Sequence, residues 1–244
     1  MRRTLIRSVP YSTFIKSCLN SGIAISQKLG QMLNIFKKDE PDWITLPQPD
    51  DSISFFETIK LKSEKYWADI LPSRHIYGFQ VQKDTKWRPG LSDNEITDFE
   101  NSMGFTFPNP LRNFYKEMNG LTKKGINLYG DDGTVYAFRS LFYSYPEDMP
   151  LIQEQIDWIY EATSITRQHL AELGVSKIFP IYGHRFMLID LPGNPILSMY
   201  GNDIVYWADN LSKLLANEIF DNIYNVSDFE SPPQTRPEIK FWLD

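Results

Sequence analysis

The chain contains one cysteine, Cys18, and three histidines among its 244 residues. A single cysteine cannot form a disulfide within the chain, so the fold does not depend on oxidation, and we expect a cytoplasmic protein. His75, His169 and His184 lie far apart, and none forms a pair at the spacing of helical zinc ligands. The sequence therefore predicts no metal site.

The signatures of common enzymes are also missing. There is no G-x-S-x-G nucleophile turn, no glycine-rich phosphate loop and no dinucleotide-binding fingerprint. No uncharged apolar run reaches the roughly 18 to 20 residues that a membrane-spanning helix needs. We therefore predict a protein without catalytic activity, cofactor or membrane span.

The first 38 residues of the chain contain no acidic side chain, and the first acidic residue is Asp39. Residues 1–38 carry seven basic side chains, and subtracting them from the net charge of −6 leaves −13 for the remainder. A remainder with this much negative charge repels a polyphosphate backbone, which argues against nucleic-acid binding by the main domain. The same negative charge suits a basic protein partner.

These charges and the prolines predict four segments. Residues 1–38 form a basic extension, which we interpret as a docked N-terminal helix, an extension from an upstream start, a transit peptide or a membrane-surface helix. Residues 39–51 form an acidic, proline-containing linker, and residues 52–220 form the main domain. Residues 221–244 form a tail in which Phe241 and Trp242 are candidates for docking.

The stretch 91–120 carries the clearest local signals. Ser92 and Glu95 have the spacing of a capping box, so a helix is predicted to begin at Ser92. Ile96, Phe99 and Met103 form its apolar stripe, and Gly104 follows as a left-handed cap.

A second helix is predicted directly afterwards. Asn109 is its expected cap and Pro110 its first residue, where a missing N–H costs nothing. Asn119-Gly120 is expected to end it, because both residues tolerate positive φ. Its buried face comprises Leu111, Phe114, Tyr115 and Met118.

The remaining pattern completes an α+β domain. Further helices are predicted over 52–71, 150–173 and 208–220, the first with Phe56, Ile59, Leu61, Trp67, Ile70 and Leu71 as its apolar residues. The helical pattern of 150–173 has a possible break at Thr163 or Ser164 and a cap at Gly174. Strands near 76–82, 126–138 and 184–207 predict a mostly antiparallel sheet flanked by these helices, with Trp87 in a turn at the core edge.

Two segments together resemble the SUKH superfamily, which includes Smi/Knr-type cell-wall regulators and bacterial immunity proteins. The first is the run from Ile96 through Phe99-Glu100, Gly104 and Pro108 to Asn119-Gly120. The second, HRFMLIDLPGNPILSMYGNDIVYWADNLSKLL, resembles the strand and helix ending of the same family. The resemblance implies either neutralisation of a cognate protein toxin or an intracellular scaffold for signalling or cell-wall regulation.

Candidate partner-binding residues lie at predicted turns and strand ends. An acidic surface with tyrosines can occupy the basic site of a nuclease-type toxin, with charge speeding encounter and rings slowing dissociation. Each aspartate also has a simpler interpretation as a turn former, and Asp131-Asp132 lacks the ligand spacing of a calcium loop. The candidates are Asp131, Asp132, Asp190, Tyr200, Asp203, Tyr206 and Asp209.

The segment division generates the first prediction. A chain that begins at Pro41 should stay soluble and unfold cooperatively in denaturant, because the basic extension is predicted to lie outside the core. An insoluble or molten product would show that residues 1–38 complete the core.

Overall fold

The structure, a computed structural model, describes residues 46–73, 78–129, 135–220 and 239–243. The chain divides into two compact units, Met1–Asp42 and Trp43–Asp244, and every described residue belongs to the second. Several predictions fall outside the described residues: the basic extension with Cys18, most of the acidic linker, His75, the turn with Asp131 and Asp132, and residues 221–238 of the tail.

Helices and strands follow one another in the order of an α+β domain, as predicted. The helices of the described part are α1 (Ile53–Trp67), α2 (Asp93–Met103), α3 (Asn109–Glu117), α4 (Met149–Ala162), α5 (Arg167–Leu173) and α6 (Leu211–Phe220). The strands are β1 (Gly78–Gln80), β2 (Trp87–Pro89), β3 (Met118–Leu121), β4 (Gly125–Tyr129), β5 (Val135–Arg139), β6 (Ile178–Tyr182), β7 (Arg185–Leu188), β8 (Ile196–Tyr200) and β9 (Asp203–Ala208).

The strands are antiparallel, but they form three sheets rather than the one predicted. Their orders are β1-β4-β5, β2-β3 and β6-β7-β8-β9. An isolated bridge between Phe142 and Tyr182 brings the segment after β5 against β6. The sequence does not predict β6, because all five of its residues are buried and show no alternation, and because Pro180 lies in its middle.

Helix α2 begins and ends where the sequence predicts. The Ser92 hydroxyl accepts the Glu95 N–H at 3.3 Å, and the Glu95 carboxylate accepts the Ser92 N–H at 2.8 Å, which completes the capping box. Gly104 ends the helix with φ 75°. Ile96 and Phe99, on the face between these ends, are fully buried.

The ends of α3 differ from the prediction. Its N-cap is Pro108 rather than Asn109, and Pro110 is the second helical residue. Asn119 and Gly120 do not form a terminal turn, since both belong to β3, which pairs with β2. The positive φ of Gly120, 75°, is therefore used inside a strand.

Helix α3 is held in place by contacts with α2 and with the segment that precedes α2. The Glu100 carboxylate accepts hydrogen bonds from the Phe107 N–H at 2.7 Å and from the Arg112 guanidinium at 2.6 Å. A Cβ on Gly90 would lie 1.8 Å from the carbonyl oxygen of Lys116, so no other residue fits at that position without displacing α3. The two helices thus form one closed unit with the chain that enters it.

Aromatic rings connect this unit to the four-stranded sheet. Phe179 of β6 lies 5.8 Å from Phe99, 5.3 Å from Phe107 and 6.2 Å from Tyr115, each pair edge to face. Phe114 lies 6.0 Å from Phe56 of α1. The core is therefore continuous from α1 through α3 to β6.

Three expectations around α1 are wrong. Leu61 is 70% exposed, because it lies on the side of α1 that faces away from the core. Leu71 is 73% exposed and lies outside α1, because the helix ends at Trp67. Trp87 lies in β2 rather than in a turn, and its indole N–H donates to the Ser63 hydroxyl at 2.8 Å. Phe56, Ile59 and Trp67 are buried as predicted.

The break and the docking residue near the end of the domain are confirmed. Ser164 has φ 57° between α4 and α5, and Gly174 caps α5 with φ 62°. Trp242 is 3% exposed and donates its indole N–H to the carbonyl oxygen of Ser176 at 2.9 Å. Its ring stacks on Tyr160 at 6.5 Å.

Asp51 connects the segment before α1 to the start of α6. Its carboxylate accepts hydrogen bonds from the Ser212 N–H at 2.7 Å and the Ser212 hydroxyl at 2.6 Å. Its carbonyl oxygen accepts the Asn113 side-chain N–H at 3.1 Å. Burial raises the pKa of Asp51 above 3.8, although the Ser212 bonds act in the opposite direction.

The ring cluster generates the second prediction. Phe99→Ala and Phe114→Ala should each lower the free energy of unfolding by about 3 to 5 kcal/mol, because each leaves a cavity in a packed core. Leu61→Ala, at an exposed position of α1, should change it by less than about 0.5 kcal/mol. Chemical denaturation measures all three, and a wild-type midpoint for both phenylalanine variants would contradict the placement of the core.

The third prediction concerns Asp51. Its raised pKa means that the folded state holds the proton more tightly than the unfolded state, so the stabilising contribution is present below pH 3.8 and is lost as pH rises through the folded pKa. The Asn in Asp51→Asn keeps an oxygen for Ser212 and does not titrate. The wild type should therefore gain stability relative to this variant as pH falls from neutral.

Denaturant unfolding at a series of pH values measures this difference. Asp98→Asn, at an exposed position of α2, controls for the loss of one charge. A difference between wild type and Asp51→Asn that stays constant with pH, or grows in the other direction, would contradict the prediction.

Candidate protein-interaction surface

The two histidines that the structure describes do not form a catalytic pair. His169 is exposed on α5. His184 lies 5.6 Å from the ring of Phe79 and 5.9 Å from that of Tyr200. Burial, followed by the nearby charge of Arg185, lowers the pKa of His184 to about 4. Its imidazole is therefore neutral at pH 7 and packs as an aromatic ring.

The described ranges hold no group of three or more His, Cys, Asp or Glu side chains arranged to bind a metal ion. Within those ranges, no helix is both long enough and apolar enough to cross a bilayer.

The predicted partner-binding residues that the structure describes do not form one cluster. Tyr200 and Asp203 pair across the β8–β9 hairpin, and both are exposed, Tyr200 by 67%. Asp190 follows β7 at the other end of the sheet, because antiparallel register places the end of β7 beside the start of β8. Only Tyr200 and Asp203 are brought together as an exposed pair among the described candidates.

Tyr206 and Asp209 are bonded within the domain. The Tyr206 hydroxyl donates to the Asp209 carboxylate at 2.7 Å, and the Lys213 ammonium donates to the other carboxylate oxygen. Partial burial acts to raise the pKa of Asp209, but the bonds from Lys213 and Tyr206 outweigh it and hold the pKa below its usual range. These bonds fasten β9 to α6, and contact of either residue with a partner stays a prediction.

Asp190 also has a structural contact, since it accepts a hydrogen bond from the Ser176 hydroxyl and so connects the start of β6 to the end of β7. It borders a cleft of about 580 Å³ between the end of α2, α4, α5 and β6. Lys177 at the mouth of this cleft lies 5.8 Å from the centre of the Phe105 ring. The cleft thus combines apolar walls with one cation and one carboxylate.

Helix α4, which the sequence predicts, completes the exposed surface around Tyr200, but none of its residues is among the predicted partner-binding residues. Helix α4 has no Lys or Arg, and its exposed side carries Glu154, Asp157 and Glu161. Trp158 on the same helix lies 5.2 Å from Tyr200, with the two rings nearly perpendicular at 86°. We call Asp157, Trp158, Glu161, Tyr200 and Asp203 the acidic aromatic surface.

The acidic side of α4 follows from a pattern that the sequence contains. Ile152, Ile156 and Ile159 are buried, and a helix that buries these positions directs residues 154, 157 and 161 outward. The contact between α4 and the β8–β9 hairpin has no such local signal. A Cβ on Gly201 would lie 3.8 Å from the Cβ of Ala162, which shows how closely the hairpin turn approaches the helix end.

A network of polar contacts stiffens the neighbouring strands. The Arg185 guanidinium lies 3.6 Å from the centre of the Trp207 ring, and Arg185 also donates to Glu218 at 2.9 Å and to Ser198 at 2.7 Å. The Trp207 indole N–H donates to the same Glu218 oxygen at 2.7 Å. Trp207 is 42% exposed, yet these contacts fix its ring against β7 and α6.

The antiparallel sheets and the helices packed against them define an α+β domain. The sequence model of the SMI1 / KNR4 family (SUKH-1) matches residues 90–227, and the chain belongs to that family. The match begins just before α2 and includes α6, in agreement with the resemblance of the two sequence segments. No curated protein sequence matches the chain.

The folded unit is larger than the matched segment. Helix α1 and strands β1 and β2 precede residue 90, yet Phe56 and Trp87 are buried in the same core as Phe114. Additions to the matched segment are therefore integral to the packing of this chain.

Proposed function

We propose that the protein is a non-catalytic, cytoplasmic protein-binding domain that neutralises a cognate protein toxin. The main support for this proposal is the acidic aromatic surface. It presents three carboxylates around a Trp–Tyr ring pair, and aromatic side chains surrounded by polar groups are typical of the centres of protein interfaces. Membership of the SUKH-1 family supports the same reading, because the family includes immunity proteins.

The proposed toxin is basic at the site that this surface covers, as a nuclease must be where it binds phosphates. Opposite charges on the two proteins speed their association. The Trp158 and Tyr200 rings, once they are buried in the complex, set its rate of dissociation. Tyr200 and Asp203 belong to this contact. Contact of the toxin with Asp131, Asp132, Asp190, Tyr206 and Asp209 stays a prediction.

The proposed binding domain comprises residues 52–220, with the basic extension, acidic linker and tail as additions at either side. The bonds of Asp51 to Ser212 and of Trp242 to Ser176 favour counting these two residues with the folded domain. The proposed interface lies entirely within residues 52–220.

A second proposed function is an intracellular scaffold or regulator, related to the fungal proteins of cell-wall assembly and signalling. The family match favours it as a candidate, because the SMI1 / KNR4 family also includes those regulators. In that case the same surface binds a cellular partner instead of a toxin.

The fourth prediction tests the proposed function by co-expression with a toxin encoded by the neighbouring gene. The wild type should restore growth, and the variant with Asp157→Lys, Glu161→Lys and Asp203→Lys should fail to do so because it repels a basic partner. A control with Glu57→Lys, Asp69→Lys and Asp98→Lys makes the same change of charge at exposed positions elsewhere and should protect like the wild type.

The rate of association, measured with purified proteins, should fall as salt concentration rises, because ions screen the attraction between exposed charges. Protection by the Lys variant at the acidic aromatic surface would show that the interface lies elsewhere. If the wild type neither binds that toxin nor protects cells, the immunity proposal fails and the scaffold proposal takes its place.

A further inference from the structure

A group of four lysines stands out on this acidic domain. Residues 82–86 and residues 122–124 form two adjoining loops, which we call the lysine loops. They carry Lys83, Lys86, Lys123 and Lys124, all exposed, and one carboxylate, Asp84. Sequence reasoning did not single them out, because the two pairs are separated by the whole of α2 and α3.

Hydrogen bonds hold the two loops side by side. The Thr122 N–H donates to the Lys86 carbonyl oxygen at 2.8 Å, and the Lys86 N–H donates to the Thr122 hydroxyl at 3.0 Å. The Gln82 side-chain N–H donates to the Lys124 carbonyl oxygen at 2.7 Å, and the Lys123 ammonium donates to the Lys83 carbonyl oxygen at 2.7 Å. These four bonds, each of which involves a backbone group of one loop, hold the two loops and their lysines side by side.

Ion pairs with carboxylates engage five other cations of the described ranges. Arg88, Arg112, Lys116, Arg185 and Lys213 each form an ion pair with a carboxylate. Across the described ranges, none of the four lysines of the lysine loops forms such a pair. Their charge is therefore available to an external anion.

We propose that the lysine loops bind the anionic headgroup surface of a membrane. Lysine is a compact, hydrated point charge without the planar fork with which arginine recognises single phosphates, so the group favours a diffuse array of negative charge over one defined ligand. Lysines close to an anionic leaflet contribute additively to binding, and their effect falls off within a Debye length.

Two other anionic partners fit the loops less well. The exposed residues of the loops are all polar, so a protein partner finds no apolar anchor there. Single-stranded nucleic acid binds with bases stacked on exposed rings, and neither loop contains an aromatic residue. A planar membrane needs neither feature.

The basic extension supplies an independent argument from the sequence. Residues 1–38 carry seven basic side chains and no acidic one. Each Lys or Arg close to an anionic leaflet adds to the attraction. The basic extension therefore favours the same kind of surface as the lysine loops, and this inference does not depend on toxin neutralisation.

The fifth prediction tests the inference with the full chain and vesicles, by co-sedimentation at physiological salt. The protein should bind vesicles of phosphatidylcholine mixed with phosphatidylserine and not vesicles of phosphatidylcholine alone. The variant with Lys83→Gln, Lys86→Gln, Lys123→Gln and Lys124→Gln should bind the anionic vesicles about tenfold or more weakly, since each lost lysine removes part of an additive attraction.

A control with Lys65→Gln, Lys177→Gln, Lys213→Gln and Lys240→Gln removes the same charge at scattered positions outside the lysine loops and should bind like the wild type. Equal losses in both variants would show that net charge alone matters, and unchanged binding of the first variant would assign the binding to residues 1–38. No binding to anionic vesicles, or a loop-dependent preference for a single-stranded oligonucleotide or polyglutamate over them, would also overturn the proposal.

Discussion

The contact of Phe179 with the rings of the helix pair is the interaction on which the domain depends. Phe179 belongs to β6, the edge strand of the four-stranded sheet, and its ring meets Phe99, Phe107 and Tyr115 edge to face. The sheet carries the β8–β9 hairpin, and the helix pair carries the packing against α1 and β2. A second ring contact runs beside it through Phe142, which lies 4.7 Å from Tyr182 of β6 and 4.7 Å from Trp87 of β2.

The parts of the fold that depend on neighbouring residues could be predicted from the sequence. The capping box of Ser92 and Glu95, the cap at Gly104 and the break at Ser164 each arise from residues a few positions apart, so their signals are local. Strand β6 could not be predicted, because a strand that is buried on both faces loses the alternation that identifies it. The division into three sheets depends on contacts between distant segments, which no local pattern encodes.

The candidate surface could likewise be predicted only where its features depend on residues that are close in sequence. Exposed acidic positions on α4 follow from helical spacing, and the turn position of Tyr200 and Asp203 follows from Gly-Asn-Asp. That Trp158 meets Tyr200 follows only from the packing of a helix against a hairpin that lies far along the chain. Conversely, the hydrogen bonds that Asp190, Tyr206 and Asp209 form within the domain could not be predicted, because each involves the arrangement of separate elements rather than a local pattern.

The closeness of Gly90 to Lys116 has a consequence for how the chain reaches this fold. The backbone that enters α2 touches the backbone of α3, with no side chain between them, so this part of the chain is a loop closed over a short separation in sequence. Contacts between residues near in sequence form faster than those between distant strands, because less chain entropy is lost in closing the loop. We expect ordering of the chain to start here, and β6 to β9 to assemble on a surface that this helix pair already presents.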